Sequence, residues 1–205
     1  EIRLSLVGSE MCIRDRGLTV PPVSSDRGAV TKSERAQTDI DENASDVVIG
    51  PVSESDAGEV LTLQRAAFVS EAQIYGSADM PPLTQTLPEV EAELRSSRGL
   101  TARQNGRLVG VIRFVEADGV LLIGRIAIAP DMQGEGIGRT LLDAAERSST
   151  AREAELFTGS LSEANIRLYK ACGYEEAERV PQGDGTEQVF PVSYTHLRAH
   201  ETKAN

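Results

Sequence analysis

A chain of 205 residues suffices for one domain of ordinary size. Its 32 acidic residues outnumber 21 basic ones, for a net charge of −11, and no basic patch or aromatic platform stands out, which argues against nucleic acid or anionic membrane as partners. No apolar run approaches the roughly 18 residues that would span a bilayer.

Both ends look foreign to the rest. Residues 1–16 (EIRLSLVGSEMCIRDR) and residues 193–205 (SYTHLRAHETKAN) resemble peptides produced when sequencing-adapter DNA is translated with a gene fragment, so they are set aside from fold reasoning. The first is a poor signal peptide, because its apolar run at residues 4–7 is short and is followed by acids and arginines. Setting the ends aside removes His196 and His200, whose spacing would otherwise suit a metal pair on a helix; no acid completes such a site, and no metal is expected. Cys12 goes as well, leaving Cys172, and a lone thiol suits a reducing cytoplasm. Residues 17–45 are rich in Ser, Thr, Asp, Glu and Pro without any period and read as disordered. The folded domain is expected over residues 46–192.

A short strand over 47–52 opens it. Ser53 and Asp56 then resemble a capping box, and Val60, Leu63 and Ala67 give the following helix a buried face to about residue 70. Residues 71–87 read as a long link, the kind that often binds ligands. A short helix after Pro88 carries Val90, Ala92 and Leu94 as its apolar members. Strands 100–104 and 108–115 flank Asn105-Gly106, a strong hairpin signal, and a turn at Asp118-Gly119 leads into a strand over 120–129 that stops at Pro130. A helix begins at Ile137, with Leu141 and Ala145 at helical spacing. Beyond it lie a strand at 154–158 and a helix at 161–171 opened by a Ser160–Glu163 capping box and closed by Gly173. Strands at 174–180 and 186–190 follow, joined through Gly183-Asp184-Gly185. The order is β-α-α-β-β-β-α-β-α-β-β.

The richest stretch is the turn Gln133-Gly134-Glu135-Gly136-Ile137-Gly138 between strand and helix. The first amides of a helix have no internal partner and point outward with the positive end of the dipole, so this junction suits a phosphate. Glycine lets the anion approach without a Cβ in the way. Arg139 lies in the first turn, where a cation opposes the dipole unless an anion intervenes. A Walker loop would need Gly-Lys-Ser/Thr, and the chain has Gly-Arg-Thr with different spacing. A dinucleotide fingerprint fails at its third glycine, where Arg139 stands, although Glu155 lies near the distance of a ribose-binding acid.

Gln133-x-x-Gly136-x-Gly138 after Ile-Ala-Ile-Ala-Pro resembles the pyrophosphate signature of the GNAT acetyltransferases. About thirty residues on, Asn165-Ile-Arg-Leu168-Tyr169-Lys-Ala-Cys172-Gly173-Tyr174 resembles the family's second signature, in the family's order. Asn165, Tyr169 and Cys172 share one helix face. The resemblance covers residues 47–190. It implies an α/β fold: a mixed, mostly antiparallel sheet, splayed between its fourth and fifth strands, with helices on both faces. It also implies acetyl-CoA as co-substrate, lying in the splay. Pantetheine would pair with the backbone of Ile126, Ala127 and Ile128. The pyrophosphate would lie along Gln133, Gly134, Glu135, Gly136, Ile137, Gly138 and Arg139. Asn165 would bond the pantetheine arm, and Tyr169 would protonate the departing thiolate, which lies close to it in pKa.

Two departures stand out. The residue between the first motif glycines, often basic in the family, is Glu135, which leaves Arg139 as the main cation for the phosphates. Some members carry a glutamate base early in the fourth strand, where this chain has Val120-Leu121-Leu122. Glu71, Glu116 and Asp118 are replacements by position only. The resemblance implies acetyl transfer to a primary amine by direct attack. The acceptor stays open among a small amine, an antibiotic, an amino acid and a protein N-terminus, with Arg113, Arg125 and the 75–87 segment as candidate lining. A non-catalytic acyl-CoA-sensing module, a nucleotide-binding enzyme and a homodimeric state also stay open.

Overall fold

A computed structural model describes residues 47–183 and 185–194. The expectations for residues 1–46 and 195–205, and with them Cys12, His196 and His200, lie outside the described residues.

The expected sheet is present. Strands β1 (Val48–Pro51), β2 (Arg98–Gln104), β3 (Arg107–Ala117) and β4 (Val120–Ile128) form an antiparallel meander. The two hairpin turns are as predicted: Asn105-Gly106 and Asp118-Gly119 all have positive φ, the twist that tight two-residue hairpins need. Strand β5 (Glu153–Leu156) pairs parallel with β4; β8 (Glu187–Tyr194) then pairs antiparallel with β5, with β6 (Thr158–Gly159) and with β7 (Glu175–Pro181).

Helices cover both faces. On one lies α5 (Ile137–Arg147), which buries Ile137, Leu141, Leu142 and Ala145. A Cβ on Gly110 of β3 would collide with Ile137 and Leu141, so the helix sits directly on that strand. The opposite face carries α1 (Ala57–Ala67) and α4 (Leu87–Ser96), through Val60, Leu63, Val90 and Leu94. With both faces covered, β3 is buried from Leu108 to Phe114.

Several elements depart from the sequence reading. The predicted link over 71–87 contains two short helices, α2 (Val69–Tyr75) and α3 (Pro81–Thr84). They are too short to show an apolar period, and neighbours rather than propensity hold them. Ala92 is exposed, and the apolar face of α4 reduces to Val90 and Leu94. The Ser160 capping box does not form. Ser160 is bound by β8 instead, its Oγ accepting the Glu187 amide at 3.1 Å, and α6 (Glu163–Ala171) starts after Ser162. By contrast Ser53 and Asp56 do close on each other, with the Ser53 amide donating to Asp56 Oδ2 at 2.7 Å.

Strand β8 also runs past the boundary expected at residue 192. Ser193 pairs with Ala154 and Tyr194 with Glu153, and Ser193 is buried. A chain ended at Val192 should therefore melt several degrees below one ended at Tyr194, at about 2–4 °C for each kcal/mol lost in a domain of this size. Equal melting temperatures in a calorimetric scan would mean that the last two pairs add nothing.

Candidate active site

The site begins where β4 and β5 part. Pairing with β5 covers only Val120 to Ile123 of β4, whereas pairing with β3 continues to Ile128. An extra residue on β4 between the Phe114↔Ile123 and Arg113↔Arg125 pairs, Gly124, makes a bulge at the point of separation. Beyond it, the Ala129 amide donates to the Val109 carbonyl at 2.9 Å, so Ala129 faces β3. Antiparallel alternation then turns Ala127 toward β3, and turns the amides and carbonyls of Ile126 and Ile128 into the splay. Of the three residues expected to meet pantetheine, Ala127 thus spends its main-chain groups within the sheet.

Past Ala129, a single turn (Pro130–Met132) leads to Gln133 and the glycines. The φ values of Gly134 and Gly136 are +89° and +80°, and a Cβ on either would meet no protein atom within 4 Å. Backbone handedness, not crowding, requires glycine there. The first internal bond of α5 is Thr140 amide to Gly136 carbonyl, so the amides of Ile137, Gly138 and Arg139 have no partner within the helix. Gln133 and Glu135 are exposed beside them, with Gln133 Nε2 at 3.5 Å from the Ile128 carbonyl. The Arg139 guanidinium points elsewhere than expected. Its Nη2 donates to the Ala171 carbonyl at 3.0 Å, at the C-terminus of α6, where a cation complements the dipole. Arg139 therefore offers the turn its amide, while its charge ties α5 to α6.

Across the splay, α6 carries Asn165 and Tyr169. Tyr169 is buried and stacks at an angle on Tyr174, with ring centroids 6.1 Å apart. Burial above all, then the Glu71 carboxylate and Cys172, push its phenol well above the ordinary value. The phenol is thereby kept in its protonated, hydrogen-bond-donating form.

Sequence reasoning missed the bridge between α2 and α6. Glu71 accepts a short hydrogen bond from Ser162 Oγ on one oxygen, and one from Asn165 Nδ2 at 3.2 Å on the other. The Tyr75 hydroxyl accepts the Leu161 amide at 3.0 Å and lies 3.2 Å from Ser162 Oγ. A Cβ on Gly159 would lie 2.0 Å from that hydroxyl, so the ring is seated on bare backbone. Of the three acids named by position, only Glu71 reaches this region. Glu116 is held by Ser149 and Thr150, whose hydroxyls keep its carboxyl below the usual range, and Asp118 sits in a hairpin turn. Asn165, expected to bond the pantetheine arm, gives one N–H to Glu71.

A second polar cluster fills the α1/α4 side. Arg113 and Arg125 are directly opposed on β3 and β4. Gln64 Oε1 accepts from Arg113 Nη2 at 2.8 Å, and Gln85 Oε1 accepts from Arg125 Nη1 at 2.8 Å. Glu93 Oε2 lies 2.9 Å from Arg113 Nη1 and accepts from Gln85 Nε2 at 2.7 Å. The first contact is an ion pair that is not aligned as a hydrogen bond.

The parted edge of β4 thus runs directly into an amide-lined glycine turn at the start of α5. Residues 61–174 match the acetyltransferase (GNAT) family, a span that includes both motifs, and the chain belongs to that family. It is 31% identical over 130 residues to the UPF0157 protein YqkA of Bacillus subtilis, covering 63% of this chain but only 37% of that protein. The fold is shared with the ribosomal-protein-S18-alanine N-acetyltransferase of Escherichia coli (TM-score 0.58, 18% identity, 73% of this chain and 94% of that one). It is shared also with yncA of Salmonella typhimurium, whose structure contains its cofactor acetyl-CoA (TM-score 0.57, 20% identity, 74% and 95%).

Asn tolerates left-handed backbone at a cost of about 1 kcal/mol. Gly136→Asn should therefore keep the fold while placing a side chain in front of the helix amides. CoA affinity should drop more than about tenfold, with circular dichroism and melting little changed. Undiminished affinity by titration calorimetry would remove the turn from the binding site.

Proposed function

We propose that the protein transfers an acetyl group from acetyl-CoA to a primary amine by direct attack, with no covalent enzyme intermediate. The observation that carries this reading is the parting of β4 from β5 beyond Ile123, which leads straight to the turn at residues 134–138. The outward main-chain groups of Ile126 would pair with the pantetheine amides as an added strand does, leaving the Ile128 amide for the thioester. The amides of Ile137, Gly138 and Arg139 would take the pyrophosphate. A main-chain amide of the β4 edge, that of Ile128, would polarise the thioester carbonyl.

Each remaining task has a residue. An alkylammonium has no lone pair, so the acceptor must lose a proton before attack. Glu71 would receive it, directly or through one water; its bonds to Ser162 and Asn165 on α6 support this reading. Tyr169 donates a hydrogen bond to the thiolate as the C–S bond breaks. Its raised pKa keeps the phenol protonated at working pH, so the thiolate is stabilised first and takes its proton from the acceptor amine or solvent. The alternative, a non-catalytic acyl-CoA-binding module, would suit the lack of an acid at residues 120–122 of β4. A carboxylate from α2 supports turnover over that alternative.

The first test is release of CoA thiol from acetyl-CoA across a panel of amines, with saturable dependence on the amine expected. In the responsive pair, Tyr169→Phe should lower kcat by about 10²–10³-fold, as for loss of one donor to a developing anion, with little change in acetyl-CoA affinity. A variant with normal kcat and a lowered melting point would make Tyr169 a packing residue. Glu71→Gln should lose the limb of the pH–rate profile that reports the base. An unchanged profile and rate would remove Glu71 from the chemistry.

A further inference from the structure

Glu71 stands on a helix without a buried residue. Nothing in α2 is buried, and its Val69 and Ile74 are exposed. A glutamate there has several rotamers open to it unless polar groups select one. Such groups come from the start of α6. The Leu161 amide donates to the Tyr75 hydroxyl, which lies 3.2 Å from Ser162 Oγ, and Ser162 Oγ donates to Glu71 Oε2. Counting hydrogens gives each bond a direction. An ionised carboxylate has none to give, so the single hydroxyl hydrogen of Ser162 goes to Glu71, and Tyr75 supplies the one between the two hydroxyls. Asn165 Nδ2 holds the other carboxylate oxygen at 3.2 Å. Two features are given over to this chain. Ser162 is the N-cap of α6, where a serine ordinarily accepts a helix amide, a bond worth about 1 kcal/mol; here it makes no such bond. Gly159 is bare where Tyr75 needs room. The nearest atoms to a Cβ on Gly159 all belong to Tyr75, and its backbone is not left-handed, so crowding alone calls for glycine.

We propose that Tyr75 and Ser162 are positioning residues for the transfer: they fix the Glu71 carboxylate for the acceptor amine and act only through it. The inference rests on the reading of Glu71 as the base. With one partner on each oxygen, the plane of the carboxylate is set, and each oxygen keeps acceptor capacity for the N–H of the incoming ammonium. In the step itself an N–H bond of the ammonium breaks, an O–H bond forms on Glu71, and the electron pair stays on nitrogen for the attack. Because Tyr169 lies on the same helix, about two turns beyond Ser162, α6 sets the base and the thiolate's donor on one frame.

The test is a set of mutant cycles read as CoA thiol release with a responsive alkylamine. Ser162→Ala and Tyr75→Phe should each lower kcat/KM for the amine about tenfold or more at neutral pH, as misplacing a reacting group does, with acetyl-CoA affinity unchanged. Gly159→Ala should resemble Tyr75→Phe, because its Cβ dislodges the Tyr75 hydroxyl without altering Ser162 or Glu71; it carries the test if either of the others fails to fold. The deficit should shrink as pH nears the amine's own pKa, about 10 for an alkylammonium, where the acceptor arrives neutral and needs no base. In a Glu71→Gln background none of the three should cost anything further. A packing role would lower the melting temperature, slow the reaction equally at every pH and add to the loss in Glu71→Gln. That pattern, or normal rates in Ser162→Ala and Tyr75→Phe beside a slow Glu71→Gln, overturns the proposal and leaves Glu71 as the base. A normal rate in Glu71→Gln, or no thiol release with any amine, overturns the reading beneath it and the proposal with it.

Discussion

Strand β4 has a hydrogen-bonded neighbour along its whole length on one side, but on the other side only as far as Ile123. The rest of the molecule depends on that asymmetry. An exposed strand edge is a ready template for pairing with an added segment, and under the proposed function that segment is the coenzyme. The Gly124 bulge lies where pairing with β5 stops, and β3, buried from Leu108 to Phe114, stays paired with β4 on both sides of it. Because α5 starts just beyond the end of β4, the same strand delivers both the free edge and the amide cradle.

The two sides of the splay then acquire different chemistry from different elements. On the α5 side everything is main chain, namely strand edge, glycine turn and helix amides, and side chains take little part. Arg139 illustrates this, since its charge goes to the end of α6 and not to the turn. On the α1/α2 side the groups are side chains brought from far apart in sequence. Glu71 and Tyr75 reach α6, while Gln64, Gln85 and Glu93 converge on Arg113 and Arg125. A constant cofactor would be read by backbone and a particular acceptor by side chains, a division that lets one fold serve many acceptors.

This division also explains what the sequence could reveal. The hairpin turns, the glycine turn and the Asn165–Tyr169 helix were legible because each is local: positive φ selects glycine or asparagine, and helical spacing places side chains on one face. The splay itself followed from family resemblance and not from periodicity. The α2–α6 bridge was not legible, since Glu71 and Ser162 lie far apart in the chain and only tertiary packing brings them together. The Ser160 capping box misled for a related reason. Its local pattern was correct, but the Glu187 amide of β8 captured the hydroxyl. The raised pKa of Tyr169 was not legible either, because it comes from burial and from a carboxylate, Glu71, far away in the chain.

The central claim, that the unpaired edge of β4 and the amides of the glycine turn hold the coenzyme, is tested most directly by residue-resolved amide hydrogen exchange with and without CoA. The account predicts new protection at Ile126, Ile128 and the first turn of α5, residues 137–139, with Ala127 already protected by β3 and unchanged. Protection confined to other segments, or equal changes at Ala127 and its two neighbours, would contradict it.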